Sequence, residues 1–74
     1  MKVKVILDNS GRRGKQVTVV KGITHNPQVI DALAKKIKQH CGAGGTVKGK
    51  DIEVQGNHVP KVKALLEKEG YFIT

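Results

Sequence analysis

The chain has 74 residues, a formal net charge of +8 and one cysteine. A chain this short buries only about 60% of its unfolded surface, so we expect one small domain spanning residues 1–74. The single cysteine, Cys41, excludes an internal disulfide, and no apolar run approaches the roughly 18 residues of a membrane-spanning helix. Because residues 1–5 also lack a long apolar stretch, the sequence predicts no signal peptide and a cytoplasmic protein. We also expect a monomer.

The first elements predict a β-hairpin with a basic tip. Apolar side chains alternate with other residues along positions 3–7 and again along positions 17–20, which is the period of a strand. The loop between them, roughly Asp8 to Lys15, starts with turn-forming residues and contains two glycines. Its three cations are Arg12, Arg13 and Lys15. Glycines let a backbone lie close to a partner and cations suit phosphate oxygens, so this loop indicates nucleic-acid binding.

A helix with a basic side is predicted next. Asn26 and Pro27 are a strong helix start, because asparagine caps unpaired N–H groups and proline fits the first helical position. Gly42 offers a stop. The apolar residues in between recur at helical spacing and are Val29, Ile30, Leu33, Ala34, Ile37 and Cys41. Three lysines lie off that apolar stripe, namely Lys35, Lys36 and Lys38.

The remaining residues predict a second hairpin, a second helix and a last strand. Residues 46–48 and 51–55 flank Gly49 and Lys50, and a two-residue loop with glycine first suits a type II′ turn. A helix begins near residues 57–60 and ends at Gly70, with Val62, Leu65 and Leu66 inward. Residues 71–74 are typical of a short strand.

The predicted element order is therefore ββαββαβ. One sheet with both helices on one face is the economical way to bury these apolar stripes. We expect an α+β fold, a two-layer α/β sandwich in which a mixed sheet is covered by two helices.

Positive charge is concentrated toward the amino terminus. Residues 1–22 contribute +5, residues 23–42 contribute +2 and residues 43–74 contribute +1. Such a field favours polyanions, although lysines also keep a small domain in solution. The aromatic residues, 3% of the chain, are Tyr71 and Phe72 in the last strand, so no base-stacking platform is predicted on the open sheet face. We expect structured RNA, held by its phosphates.

Catalytic and metal-binding interpretations are weak. Residues 44–50 match most of a phosphate-binding P-loop, but Asp51 stands where Ser or Thr is needed and a strand follows instead of a helix. The histidines His25, His40 and His58 lack partners at metal-ligand spacing. An acylphosphatase-like enzyme is the best enzymatic alternative because its element order is related, yet its glycine-rich arginine motif is missing. We expect no catalytic residue, metal or cofactor.

Taken together, these motifs resemble the eukaryotic-type translation initiation factor one family, whose small α/β domain also occurs in bacteria and archaea. The resemblance covers nearly the whole chain, in the right order and spacing. The matching segments are Gly11 to Lys15, Thr18, Val20, Gly22, the lysine-rich first helix, Lys38 to Cys41, Gly44 to Val47 and Ile52 to Gly56.

The resemblance implies a non-enzymatic factor that binds the small ribosomal subunit near the P site and helps reject wrong start codons and misplaced initiator tRNA. In that family the basic hairpin loop and first helix face ribosomal RNA, at positions that are here Arg12, Arg13, Lys15, Lys35, Lys36 and Lys38. The second hairpin tip, with Lys48 and Lys50, would point toward the initiator tRNA. Other initiation factors are further implied partners.

Three positions depart from the family pattern. Ala43 stands where many relatives have a second cysteine, which removes any metal or redox role there. Asn57 and Val59 stand where an acid and an arginine are common, which leaves the basic contact of the second hairpin open. A general structured-RNA-binding module, or a stress-related regulator of translation, is the alternative function for the same fold.

Overall fold

The predicted element order is confirmed by a computed structural model, which describes residues 2–8 and 15–74. The elements are β1 (Lys2–Asp8), β2 (Val17–Lys21), α1 (Pro27–Cys41), β3 (Gly45–Lys48), β4 (Asp51–Gln55), α2 (Val59–Lys68) and β5 (Phe72–Ile73). Arg12 and Arg13 lie outside the described residues, so their place in the interface stays a prediction.

The five strands form one mixed sheet in the order β3-β4-β2-β1-β5. The pairs β1–β2, β2–β4 and β3–β4 are antiparallel, and β5 joins β1 in parallel at the edge. Helix α1 packs over β3 and β4, whereas α2 packs over β1 and β5 and against α1. The predicted α+β sandwich is therefore confirmed, and the opposite face of the sheet carries no helix among the described elements.

The core lies between the sheet and the two helices. Val5 pairs with Val20, and Val20 pairs in turn with Ile52, so one face of three neighbouring strands is lined by buried aliphatic side chains. Ile37 and Leu66 are fully buried against that face from the two helices. Within the described ranges, neither helix is long and apolar enough to cross a membrane.

Helix α1 begins and ends where the sequence predicts. The Asn26 side chain accepts a hydrogen bond from the Val29 amide at 2.9 Å, with Pro27 next in the chain. Gly42 ends the helix with φ of 65°, a left-handed conformation that glycine adopts without a Cβ clash. The inward position predicted for Val29 is wrong, because this side chain is 41% exposed. Val29 precedes Ile30 by about 100° of helical rotation, which takes it off the buried stripe.

Strand directions define two ends of the molecule. At the loop end, Asp8 pairs with Val17 and Val17 pairs with Gln55, so β1 and β4 finish where β2 starts. Strand β3 begins at the loop end, so the helix before it, α1, finishes at that end. Helix α2 follows β4 and therefore begins at the loop end. At the turn end, Lys48 pairs with Asp51 across the predicted two-residue turn. Lys15, the described cation of the predicted basic tip, therefore lies at the loop end.

Candidate nucleic-acid interface

Three lysines from different elements approach the loop end. Lys15 is exposed and lies just before β2, and Lys38 is half-buried in the last turns of α1. Lys61 is exposed near the start of α2, close enough to Cys41 for its ammonium to lower the pKa of that thiol. Burial is the larger influence on Cys41 and raises the thiol pKa above its ordinary value. The fold thus gathers cations from a loop and two helices at one end.

An open groove runs beside Lys38 at the end of α1. It is shallow and wide open to solvent, and it is lined by Lys38, Gln39, Gly42, Ala43, Gly44 and Gly45. The backbone amides of Gly42 and Ala43 both donate to the Lys38 carbonyl oxygen, which closes the helix end. Because three of the lining residues are glycines, a sugar–phosphate backbone can approach the peptide chain closely while Lys38 supplies charge.

The helix lysines point in different directions. Lys35 and Lys38 are separated by about 60° around α1, whereas Lys36 is turned about 160° away from Lys38. Lys36 faces α2, where its ammonium contacts the Glu69 carboxylate at 2.5 Å. The sequence predicts all three as RNA contacts, but the structure groups only Lys35 and Lys38 on the side that borders the groove.

The predicted contacts Lys48 and Lys50 lie at the turn end, away from the other candidates. Lys15 and Lys21 are six residues apart on nearly extended chain, which corresponds to about 20 Å. Lys21 in turn contacts Asp51 at 3.9 Å, next to the turn that contains Lys50. Lys48 is 3.7 Å from Glu53. The two groups of predicted contacts therefore face separate regions of any large partner.

Acidic residues are distributed unevenly between the loop end and the turn end. The chain has six Asp and Glu residues, and all of them fall within the described ranges. Among them only Asp8 is placed at the loop end, at the last position of β1. The others lie along the middle of the open sheet face, on the helix surfaces or toward the turn end, and are Asp31, Asp51, Glu53, Glu67 and Glu69. The loop-end lysines therefore share that end of the molecule with a single acid, Asp8.

Buried hydrogen bonds fix the base of the basic loop. The Thr18 hydroxyl is fully buried, donates to the Gly56 carbonyl at 2.8 Å and accepts from the His58 amide at 2.9 Å. The Gly56 amide donates to the Gln16 carbonyl oxygen at 2.8 Å, directly beside Lys15. The chain leaving β4 is thereby tied to the chain entering β2, so the loop stem and the start of α2 keep a fixed separation.

Histidine and cysteine side chains serve structural roles where their contacts are seen. His25 Nε2 lies 2.9 Å from the Tyr71 hydroxyl, and the two rings meet edge to face with centroids 5.9 Å apart. Cys41 is only 8% exposed within the core. Across residues 2–8 and 15–74, no group of three or more His, Cys, Asp and Glu side chains is arranged to hold a metal ion.

Residues 1–72 match the family model described as translation initiation factor SUI1. The chain belongs to this family. It is 46% identical over 63 residues to a protein translation factor SUI1 homolog of Methanoregula boonei, covering 85% of this chain and 62% of that protein. A protein of the same name from Sulfolobus acidocaldarius is 42% identical over 71 residues, or 96% of this chain and 69% of its own length.

Bacterial relatives are similar to the same extent. The protein YciH of Salmonella typhimurium is 41% identical over 68 residues, which cover 92% of this chain and 63% of YciH. This SUI1-family chain therefore spans less than two thirds of the length of several relatives that it matches. The resemblance to translation initiation factor one, stated from the motifs, is confirmed at the level of the family.

Lys61 is the loop-end cation that the sequence analysis missed. It is neither in the basic hairpin nor in the lysine-rich helix, which were the segments that stood out by charge. A signal was nevertheless present, since Pro60 marks the first turn of a helix that follows β4 directly. The pairing of β4 with β2 then places that first turn at the end where Lys15 precedes β2.

Proposed function

We propose that this protein is a non-enzymatic translation initiation factor that binds ribosomal RNA of the small subunit with its loop end. The observation that supports this most directly is that Lys15, Lys38 and Lys61, from a loop and two helices, all lie toward one end, where Asp8 is the one acid. Arg12 and Arg13 join this set by their sequence position in the same loop. The protein acts in the cytoplasm as a monomer.

Phosphate contacts explain how such a surface holds RNA without base-reading side chains. Each lysine or arginine that neutralises a phosphate releases condensed counterions, and this supplies affinity that falls with salt. The open groove beside Lys38 lets a backbone enter, and Lys35 extends the charge along α1. The Thr18 hydrogen bonds hold the loop stem in place, so less ordering is required when RNA binds.

Binding near the P site would give the turn end its role. With the loop end on ribosomal RNA, the β3–β4 turn with Lys48 and Lys50 projects from the opposite end toward the initiator tRNA. A rigid body at this position favours initiator tRNA that is correctly paired with a start codon and opposes mismatched pairing. Start-codon and initiator-tRNA fidelity are the proposed outcome, with other initiation factors as further partners.

Co-sedimentation with small subunits tests the loop-end assignment. The double variant Lys15→Ala/Lys38→Ala is compared with Lys63→Ala/Lys68→Ala, which loses the same charge from α2 outside the loop-end set. We expect only the first to lose affinity, with a salt dependence that flattens by about two units for two phosphate contacts. Equal losses in both variants would show that net charge alone drives binding, against this interface.

Two further experiments test whether the protein is specific for the small subunit and whether it acts on start-codon fidelity. Binding to an unrelated structured RNA as tight as binding to the small subunit would favour the general RNA-binding alternative. Toeprinting of initiation complexes on near-cognate start codons measures fidelity directly. We expect the wild-type protein to reduce near-cognate complexes, and the Lys15→Ala/Lys38→Ala variant to lose that effect in proportion to its lost affinity.

A further inference from the structure

The open face of the sheet carries an exposed aromatic side chain. Val3 is buried in the core and pairs with Ile73, which packs on the same core. Since side chains alternate along a strand, Phe72 must point to the opposite face, and it is 69% exposed there. No multi-aromatic platform is predicted for this face, and the structure places one exposed aromatic side chain there. The orientation of Phe72 could not be predicted from the sequence, because the edge strand has only two residues and two positions cannot show an alternation.

Three lysines lie on that same face, all on the β1 and β2 side of Phe72. Lys2 is its direct partner across the β1–β5 pair, and Lys4 lies two residues further along β1 on the same side. Lys21 is paired with Lys4 from the neighbouring strand. All three lysines are exposed, and Lys21 contacts the Asp51 carboxylate at the long distance of 3.9 Å.

We propose that Phe72, Lys2, Lys4 and Lys21 form a binding site for an unpaired base of single-stranded RNA. The ring offers a flat apolar surface on which any base can stack, and the lysines on β1 and β2 meet phosphates of the nucleotides that follow along the sheet. Phe72 has no packing role in the core of the described residues, because the neighbouring Ile73 supplies the core contact of β5. Asp51 and Glu53 on β4 border the patch. Their negative charges repel phosphates, so the RNA strand is directed along β1.

This site is separate from the loop-end interface. It lies on the helix-free face and toward the turn end, whereas Lys35 and Lys38 belong to α1 on the other face. One molecule can therefore hold structured RNA at its loop end and an unpaired nucleotide on its sheet. The Phe72 site stands or falls independently of the proposed ribosomal function.

Oligonucleotide titrations of the whole protein test the site. The probes are a labelled single-stranded adenylate octamer and an abasic ribose–phosphate octamer with the same charge. We expect Phe72→Ala and Phe72→Leu to weaken adenylate binding by roughly 5- to 150-fold, the range for loss of one stacked base, and to leave abasic binding unchanged. Phe72→Leu is the matched control for folding, since it keeps an apolar side chain in β5 and removes only the ring.

Tryptophan fluorescence provides an independent readout, because the chain has no tryptophan of its own. In the Phe72→Trp variant we expect emission typical of an exposed indole, quenched by the adenylate octamer and not by the abasic one. Equal affinity of all variants, or absence of quenching, overturns the site. Blue-shifted emission without RNA overturns it as well, because it would mean that protein covers the ring. The Lys15→Ala/Lys38→Ala variant should keep the quenching even where it loses small subunits.

Discussion

The Thr18 hydroxyl accepts a hydrogen bond from the His58 backbone amide at 2.9 Å, although the two residues are 40 positions apart. The same hydroxyl donates to the Gly56 carbonyl at 2.8 Å, so both of its hydrogen-bonding capacities join β2 to the β4–α2 connection. This side chain is fully buried, so its hydroxyl must find hydrogen-bond partners within the protein. A threonine in the middle of a valine-rich strand thus positions the loop end.

Replacing Thr18 by valine should destabilise the protein with little change in shape. Valine has nearly the same volume, but it leaves the His58 amide and the Gly56 carbonyl without their partner. A buried polar group that loses its hydrogen bond costs about 1–3 kcal/mol. Thermal unfolding should show a fall of at least about 4 °C, the lower limit per kcal/mol for a domain of this size. Thr18→Ser keeps the hydroxyl and should retain most of the stability, and equal losses in the two variants would contradict this role.

Gly45 is required by the close approach of β3 to β4. A Cβ at this position would overlap the Glu53 carbonyl oxygen and lie 3.2 Å from the Val54 Cα, both of them backbone atoms. Gly45→Ala should therefore push β3 away and cost about 1–3 kcal/mol in chemical denaturation. Its neighbour is the control, since a Cβ at Gly44 would meet only the Gln55 side chain at 3.8 Å. Gly44→Ala should change stability by no more than about 0.5 kcal/mol.

Local chemistry explains why so much of the fold could be predicted. Asn26 and Gly42 determine the ends of α1 through capping, which depends on neighbouring residues alone. Gly49 has φ of 61° at the first position of the β3–β4 turn, as a primed turn needs. Each of these signals lies within a few residues of the boundary that it sets, so one sequence suffices to find it.

Tertiary geometry explains what could not be predicted of the candidate site. Lys36 meets Glu69 across 33 residues of sequence, and nothing local indicates that α2 will bring an acid there. Pro60 indicates where α2 begins, but Lys61 lies at the loop end only because β4 pairs with β2. The sheet face on which Phe72 lies is determined only by the pairing of β5 with β1. In each case the deciding contact joins elements that are distant in the chain.

Lys35 and Lys36 should differ in RNA binding although they are neighbours. The Lys36 ammonium is engaged by Glu69, whereas Lys35 lies on the exposed side of α1 that borders Lys38. Lys35→Ala should therefore weaken small-subunit binding more than Lys36→Ala, as measured by co-sedimentation at several salt concentrations. Lys36→Ala should instead lower stability slightly, by no more than about 1 kcal/mol for an exposed ion pair.

Glu69→Gln provides the converse test of that ion pair. It releases the Lys36 charge while keeping a side chain of the same size, so affinity for the small subunit should rise or stay unchanged. The salt slope should steepen by up to about one unit if the released ammonium reaches a phosphate. A loss of affinity in Glu69→Gln would show that the ion pair itself shapes the RNA-binding surface.

Alkaline pH should destabilise the fold through Cys41. Burial raises the pKa of this thiol above its ordinary 9.0, and the Lys61 ammonium opposes the rise only in part. The folded protein therefore holds the thiol proton to higher pH than the unfolded chain does. The resulting stability is complete below the unfolded pKa and is lost as pH rises through a window that begins near 9.0. Urea denaturation midpoints should accordingly fall across this window.

The Cys41→Ala variant separates this contribution from other alkaline effects. Its stability at neutral pH should be lower because volume is lost from the core, but its decline with pH should be shallower than that of the wild type. Tyr71 acts in the same direction, since burial and then the Glu69 carboxylate raise its pKa above 10.0 while Lys36 opposes them. The pH range in which Tyr71 affects stability begins one unit higher than that of Cys41. The slopes of stability against pH are therefore compared below about pH 10. Parallel slopes in the two proteins would remove Cys41 as the cause.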